Sequence, residues 1–250
     1  MQTASFGACV VALVHLSLGS AKARNDAFPF KCNLAGECRC DGNAKVLTPL
    51  YVEDVGTRKP IQLHVDRRYL DRWSRNSATV GSAYFRVRAD TFEPWPDNLL
   101  TTSTTLPHLT ILFGFNVHRS LFGKTSAEIF LRGIVYESIF RLDRSIKGPR
   151  PFETAQMDFG LNKILMRGTL QSPYLKNDYF FDGHPANNFI SCLRKKRHPR
   201  GLLRCGHYTD LIGVSAIIRY GSDQLPNWRR IRNAAKGLLA CFEYKPEKSN

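Results

Sequence analysis

The sequence predicts an α+β fold: antiparallel sheet or sheets, a C-terminal amphipathic helix packed on one sheet face, and disulfide staples. Three observations lead there. Short runs with an apolar residue at every second position recur along the chain, separated by Gly, Pro and polar turns. One segment near the C-terminus changes to helical spacing. Six cysteines remain once a cleavable N-terminal segment is set aside, an even number, as an oxidising compartment favours.

Residues 1–23 read as a signal peptide. Positions 4–20 contain no Asp, Glu, Lys or Arg, and Ala21-Lys22-Ala23 places small residues at the two positions a signal peptidase inspects. The run is too short for a comfortable membrane span, which takes about 20 apolar residues. No transmembrane span is expected after cleavage. Residues 24–250 are then the mature α+β domain. The breaker Lys147-Gly148-Pro149-Arg150-Pro151 marks where it would divide if it had two small lobes.

The elements follow in order. The segment 24–60 reads as an irregular lead-in tied by Cys32, Cys38 and Cys40. Residues 61–65 and 84–88 alternate as strands, and 91–105, with Pro94, Pro96 and a Ser/Thr run, reads as a loop. Leu109, Ile111, Phe113, Phe115 and Val117 form a period-two row, a half-buried strand. Residues 127–142 fit either period, and their β-branched and aromatic content favours a strand. Short apolar runs follow near 159–166, 179–181 and 189–193, then a strand over 214–220. From Pro226 onward, Trp228, Ile231, Ala235, Leu238 and Phe242 share one helical stripe, with Arg229, Arg230, Arg232 and Lys236 off it.

The six mature cysteines allow fifteen pairings. Cys192 and Cys205 flank a candidate hairpin and are expected to pair. Cys32 with Cys38 or Cys40 would close a small loop, and the cysteine left over could reach Cys241. A zinc site is the rival for the first three, but Cys38-x-Cys40 is not a metal-ligand spacing and no His lies nearby. No metal and no cofactor are expected.

Lys plus Arg outnumber Asp plus Glu by 36 to 21, a formal charge of +15, and cleavage after Ala23 would leave +14. Such a surplus favours anionic partners: an acidic protein or an anionic envelope polymer. The densest cluster is Arg194, Lys195, Lys196, Arg197 and Arg200, followed by Arg204, all between Cys192 and Cys205. A bridge there would tether a cationic turn able to grip a polyanion. The turn lacks interleaved aromatics, so sequence-specific nucleic-acid binding is not expected.

Catalytic motifs are scarce. Gly123-Lys124-Thr125 ends like a phosphate loop, but the required upstream Gly is His118. Neither Gly-x-Ser-x-Gly nor His-Glu-x-x-His occurs. Two imidazoles have an acid nearby in sequence: His184 with Asp182, and His207 with Asp210. A carboxylate that orients an imidazole can make it a general base, so a secreted hydrolase or nuclease using His184 or His207 is one expectation. A second is a basic envelope protein that binds polyanions through the 194–204 turn. The leading expectation is an exported, non-catalytic binding protein of the bacterial envelope, periplasmic or secreted. Its concrete form is an inhibitor or immunity protein for a secreted toxin, with no enzymatic activity.

Overall fold

The computed structural model describes residues 28, 30–33, 37–40, 47–53, 60–71, 82–96, 108–114, 125–133, 153–165, 177–193 and 204–243. Residues 1–23, residues 147–151 and Arg194, Lys195, Lys196, Arg197 and Arg200 lie outside them. So do Phe115 and Val117 of the third predicted strand.

The chain is α+β and mostly sheet. Strands β1 (Phe30–Cys32) and β2 (Cys38–Cys40) form a small hairpin, and β3 (Leu47–Glu53) and β4 (Pro60–Asp66) form another. The remaining eight strands build one antiparallel sheet: β5 (Ala83–Arg88), β6 (His108–Phe113), β7 (Thr154–Gln156), β8 (Asn162–Ile164), β9 (Asn177–Phe181), β10 (Asn188–Leu193), β11 (Arg204–Leu211) and β12 (Val214–Gly221). Their spatial order is β5-β6-β12-β11-β10-β9-β8-β7. Strands β7 to β12 run as a meander whose last member pairs with β6. Strands from both sides of the 147–151 breaker therefore share one sheet.

Alternation decides the faces. In β6, Leu109, Ile111 and Phe113 are buried while His108, Thr110 and Leu112 are half-buried. The register carries this across the sheet: Phe85, Ile111 and Ile218 stand side by side, with His207 next in line. Helix α2 (Trp228–Phe242) covers this first face through Trp228, Ile231, Ala234, Ala235, Leu238, Leu239 and Phe242. Each large apolar side chain removed from water contributes roughly 1.5–3 kcal/mol. Pro226 lies in the 3-10 turn Ser222–Asn227 that leads into α2. Off-stripe arginines also bind the sheet side. Arg230 donates to the carbonyls of Ala89 and Asp90, at 2.8 and 3.2 Å, and Arg232 donates to the Thr209 hydroxyl at 3.1 Å.

The expectation of a strand over 127–142 is corrected at its start: Ser126–Leu131 is a short helix, α1. Thr125-Ser126-Ala127-Glu128 is a helix-start signal. The Thr125 side chain accepts from the Glu128 N–H at 3.2 Å, and its hydroxyl donates to the Ala186 carbonyl. A local cap outweighs β propensity when the capped turn also buries Ala127 and Leu131 against Phe181 and Phe189. Residues 134–142 lie outside the described ones.

Three disulfides staple the fold. Cys192–Cys205 crosses β10 and β11, Cys32–Cys38 crosses β1 and β2, and Cys40–Cys241 ties the first hairpin to α2. Sulfurs in these bonds are not thiolates, so the three N-terminal cysteines do not form a metal site. No helix among the described residues is long and apolar enough to cross a membrane.

Candidate functional site

The second face of the sheet is divided. Over β10 and β11 it is covered by α1: the Phe130 ring stacks on Tyr208 at 4.0 Å, and Tyr208 lies 5.9 Å from Phe189. Over β5, β6 and β12 the same face is more open. Register places Tyr84, Leu112 and Ile217 in one row, and Arg86, Thr110 and Arg219 in the next; Arg88 stands opposite His108. Tyr84 is 37% exposed and Arg219 is exposed, while Arg86, Arg88, His108, Thr110 and Leu112 are half-buried.

This half is basic and aromatic. The chain after β5 turns back so that the Trp95 N–H donates to the Arg86 carbonyl at 3.0 Å. The Trp95 ring then lies 5.5 Å from the Arg86 guanidinium and 5.0 Å from His108. Packing on both sides limits how far these side chains swing. Arg88 is neutralised locally by Asp90 at 2.7 Å; that guanidinium, hydrogen-bonded to the carboxylate, holds the Asp90 carboxyl below its usual range. Planar guanidinium groups on a rigid sheet suit bidentate contact with carboxylates. Tyr, Trp and Arg are also the residue types that most often anchor protein interfaces.

The cationic turn is placed only by its ends. It leaves β10 after Leu193 and re-enters β11 at Arg204, which pairs with Gly221. The Cys192–Cys205 bridge closes it one residue inside those ends. Its five other basic residues lie outside the described ones.

The two imidazoles do not acquire the acids beside them in sequence. Asp210 and His207 are three positions apart on β11, so they project from opposite faces. Asp210 accepts from the Ser126 hydroxyl and N–H on the α1 side. His207 points to the α2 side, fully buried, with Tyr220 and Trp228 edge-on at 6.2 and 5.9 Å. Asp182 accepts from the N–H groups of Asn187 and Asn188 and from Asn188 Nδ2, at 2.9, 2.9 and 2.7 Å. Its carboxylate closes the turn and does not orient His184. The exposed His184 ring rests 4.9 Å from Phe181.

These bonds fix the protonation of His207. A carboxylate only accepts, so Asn188 must turn its NH2 to Asp182 and its Oδ1 toward His207, where Nε2 lies at 2.8 Å. Nε2 is therefore the protonated nitrogen, and the bare Nδ1 is buried without a partner. Burial, with a smaller contribution from the Arg232 charge, pushes the imidazole down to about 3. The expectation of a general base at 207 is corrected accordingly: alternation sends the ring into the core, away from any substrate. Sequence reading missed Asn188 as its partner, because only the β10–β11 register brings the two together.

Among the described residues, no three His, Cys, Asp or Glu side chains cluster as a metal site. No protein-family model matches the sequence, and no curated protein does. One solved structure resembles the fold, with a TM-score of 0.51 and 12% identity, over 79% of this chain and 94% of the other. It is an immunity protein of the Stenotrophomonas maltophilia type IV secretion system. At this identity the likeness is one of fold.

Proposed function

We propose that this chain is an exported, non-catalytic binding protein of the bacterial envelope that neutralises a secreted protein toxin. The observation that carries the reading is the likeness to a secretion-system immunity protein over most of both chains. Two further features support it. Three disulfides suit a periplasmic or secreted protein. The open half of the second sheet face offers Tyr84 and Leu112 beside Arg86, Arg88 and Arg219, a surface matched to an acidic protein. Exposed Arg219 would meet a carboxylate of the toxin, and the sheet beneath would hold it in place.

The test has two parts. A tagged, exported copy is used to isolate its protein partner, which mass spectrometry identifies. That partner, produced alone in the envelope, should arrest growth, and co-production of this chain should restore it. Arg219→Glu should weaken the purified complex by roughly tenfold or more through charge reversal at the contact. Lys236→Glu, on the exposed side of α2, should leave it unchanged. Growth arrest that this chain does not relieve would overturn the reading.

A second reading rests on the bridge-closed turn: anionic polymer held by Arg194, Lys195, Lys196, Arg197, Arg200 and Arg204. Its signature is retention on heparin that weakens steeply with salt and is lost when the first four are replaced by Ala, with the toxin complex intact.

A further inference from the structure

The three disulfides differ in what surrounds them. Cys192 and Cys205 are buried at 5% and 0% exposure, between β10 and β11 under the α2 core. Cys32 is buried at 4% and its partner Cys38 is half-buried. Cys40 is exposed and Cys241 half-buried. The Cys40–Cys241 bridge forms part of the wall of a groove of about 590 Å³, whose other surfaces include Phe30, Gly237 and Ala240. Glycine at position 237 lets Phe30 pack closely on α2: a Cβ there would come 3.3 Å from the Phe30 ring.

We propose that Cys40–Cys241 is a thiol–disulfide exchange site, and that the groove beside it receives the active site of a thioredoxin-class dithiol protein. The inference is independent of the toxin-binding reading. Exchange requires a thiolate to reach a sulfur along the S–S axis and the other sulfur to leave as a stable thiolate. Cys40 meets the first need. Half-buried Cys241 meets the second better than Cys32, whose thiolate would be released into the core. Cys38 also faces the groove, so it is the leaving group that separates the two bridges. The groove wall, with Phe30 and Ala240 on one part and Glu243 on another, gives a protein reagent a surface that a small thiol cannot use.

The chemistry balances. One thiolate of the dithiol protein attacks Cys40 Sγ; the Cys40–Cys241 bond breaks and a mixed disulfide forms. Cys241 leaves as a thiolate and takes a proton. The second thiol of the dithiol protein then attacks the mixed disulfide and releases Cys40, which is protonated in turn. The chain gains two electrons and two protons, and the partner becomes a disulfide. The reverse sequence closes the bridge.

Chain order supplies a second, separate reason for exchange at this site. After Cys32–Cys38, cysteines taken in order of appearance would pair as Cys40–Cys192 and Cys205–Cys241. The native pattern nests Cys192–Cys205 inside Cys40–Cys241. Passing from one to the other requires thiol attack at Cys40 or Cys241 and no change at Cys32–Cys38. Opening the native bridge would not free the hairpin outright, since Phe30 stays packed on Gly237 and its carbonyl accepts from the Tyr69 hydroxyl.

The oxidised full-length chain is incubated with a thioredoxin-class protein lacking its resolving cysteine, which traps mixed disulfides. A parallel sample receives dithiothreitol, with pulsed alkylation and peptide mass spectrometry. The trap should sit on Cys40. In dithiothreitol, Cys40 and Cys241 should be alkylated at least about tenfold faster than Cys192 and Cys205, as access dictates, with near-UV circular dichroism still native. Ala240→Gln, at the groove lip, should slow the trap and leave the dithiothreitol rate unchanged. A trap on any other cysteine, no mixed disulfide at all, or three bridges opening together with loss of the fold would overturn the proposal. An Ala240→Gln variant trapped as fast as the wild type would remove the groove from it.

Discussion

Removing the Cys40–Cys241 bridge by paired alanine substitution should cost more stability than removing Cys32–Cys38, and the cost should arise in the unfolded chain. The bridge spans 201 residues, against 13 for Cys192–Cys205 and 6 for Cys32–Cys38. A cross-link chiefly restricts the unfolded chain, and the restriction grows with the logarithm of the loop. On that basis the three bridges contribute about 5, about 3 and about 2 kcal/mol in that order. Packing modifies the comparison unevenly. Cys192 and Cys205 are buried, so their loss also empties core volume, whereas exposed Cys40 and half-buried Cys241 leave almost none. Cys40→Ala/Cys241→Ala therefore isolates the unfolded-state effect most cleanly. The assay is urea unfolding of fully oxidised proteins, followed by tryptophan fluorescence, with buried Trp228 as reporter. The variant should lose several kcal/mol and its m value should rise, because a chain freed of the long loop exposes more surface. A loss below about 1 kcal/mol, or a smaller loss than for Cys32→Ala/Cys38→Ala, would refute the loop argument.

Acid should destabilise the protein partly through His207. Its folded pKa, near 3, lies below the ordinary value near 6.5, so the unfolded state alone takes up a proton as pH falls between the two. Stability from this group is complete above about pH 6.5 and falls by up to about 1.4 kcal/mol per pH unit below about pH 6. His207→Gln should lower stability at pH 7 yet flatten its fall; parallel slopes in urea titrations at pH 7, 5.5 and 4.5 would contradict this. Asp182→Ala should release the turn 182–188, because three donors lose one carboxylate and Asn188 loses the contact that orients it toward His207. The expected cost is about 2–3 kcal/mol, with faster hydrogen exchange at the Asn187 and Asn188 amides, and unchanged protection there would exclude the role given to Asp182.

What could be read from the sequence was whatever one element encodes alone. The α2 stripe is a single helix burying a single face, and all five of its sequence-marked apolar positions are buried. Leu109, Ile111 and Phe113 alternate because one sheet face is covered. At helix α1 two local signals conflict: its β-branched and aromatic residues favour a strand, and the Thr125–Glu128 capping spacing, which prevails, starts a helix. The 211–214 turn holds Ile212 and Gly213 at positive φ, 44° and 85°; the glycine takes that conformation freely and the isoleucine against its own preference. Sheet order and register were not legible. No local pattern says that β12 returns to β6, and that pairing is what gathers Arg86, Arg88 and Arg219 on one face, from segments more than 100 residues apart. Alternation along β11 separates His207 from Asp210, which sequence proximity joins. Proximity along a strand therefore argues against a shared site at odd spacing, and distance along the chain does not argue against one. The basic face depends on the β5–β6–β12 register, and the buried imidazole on the phase of β11. A one-residue slip of β11 that brought Tyr208 to the position of His207 would put the imidazole on the α1 side and a tyrosine under α2.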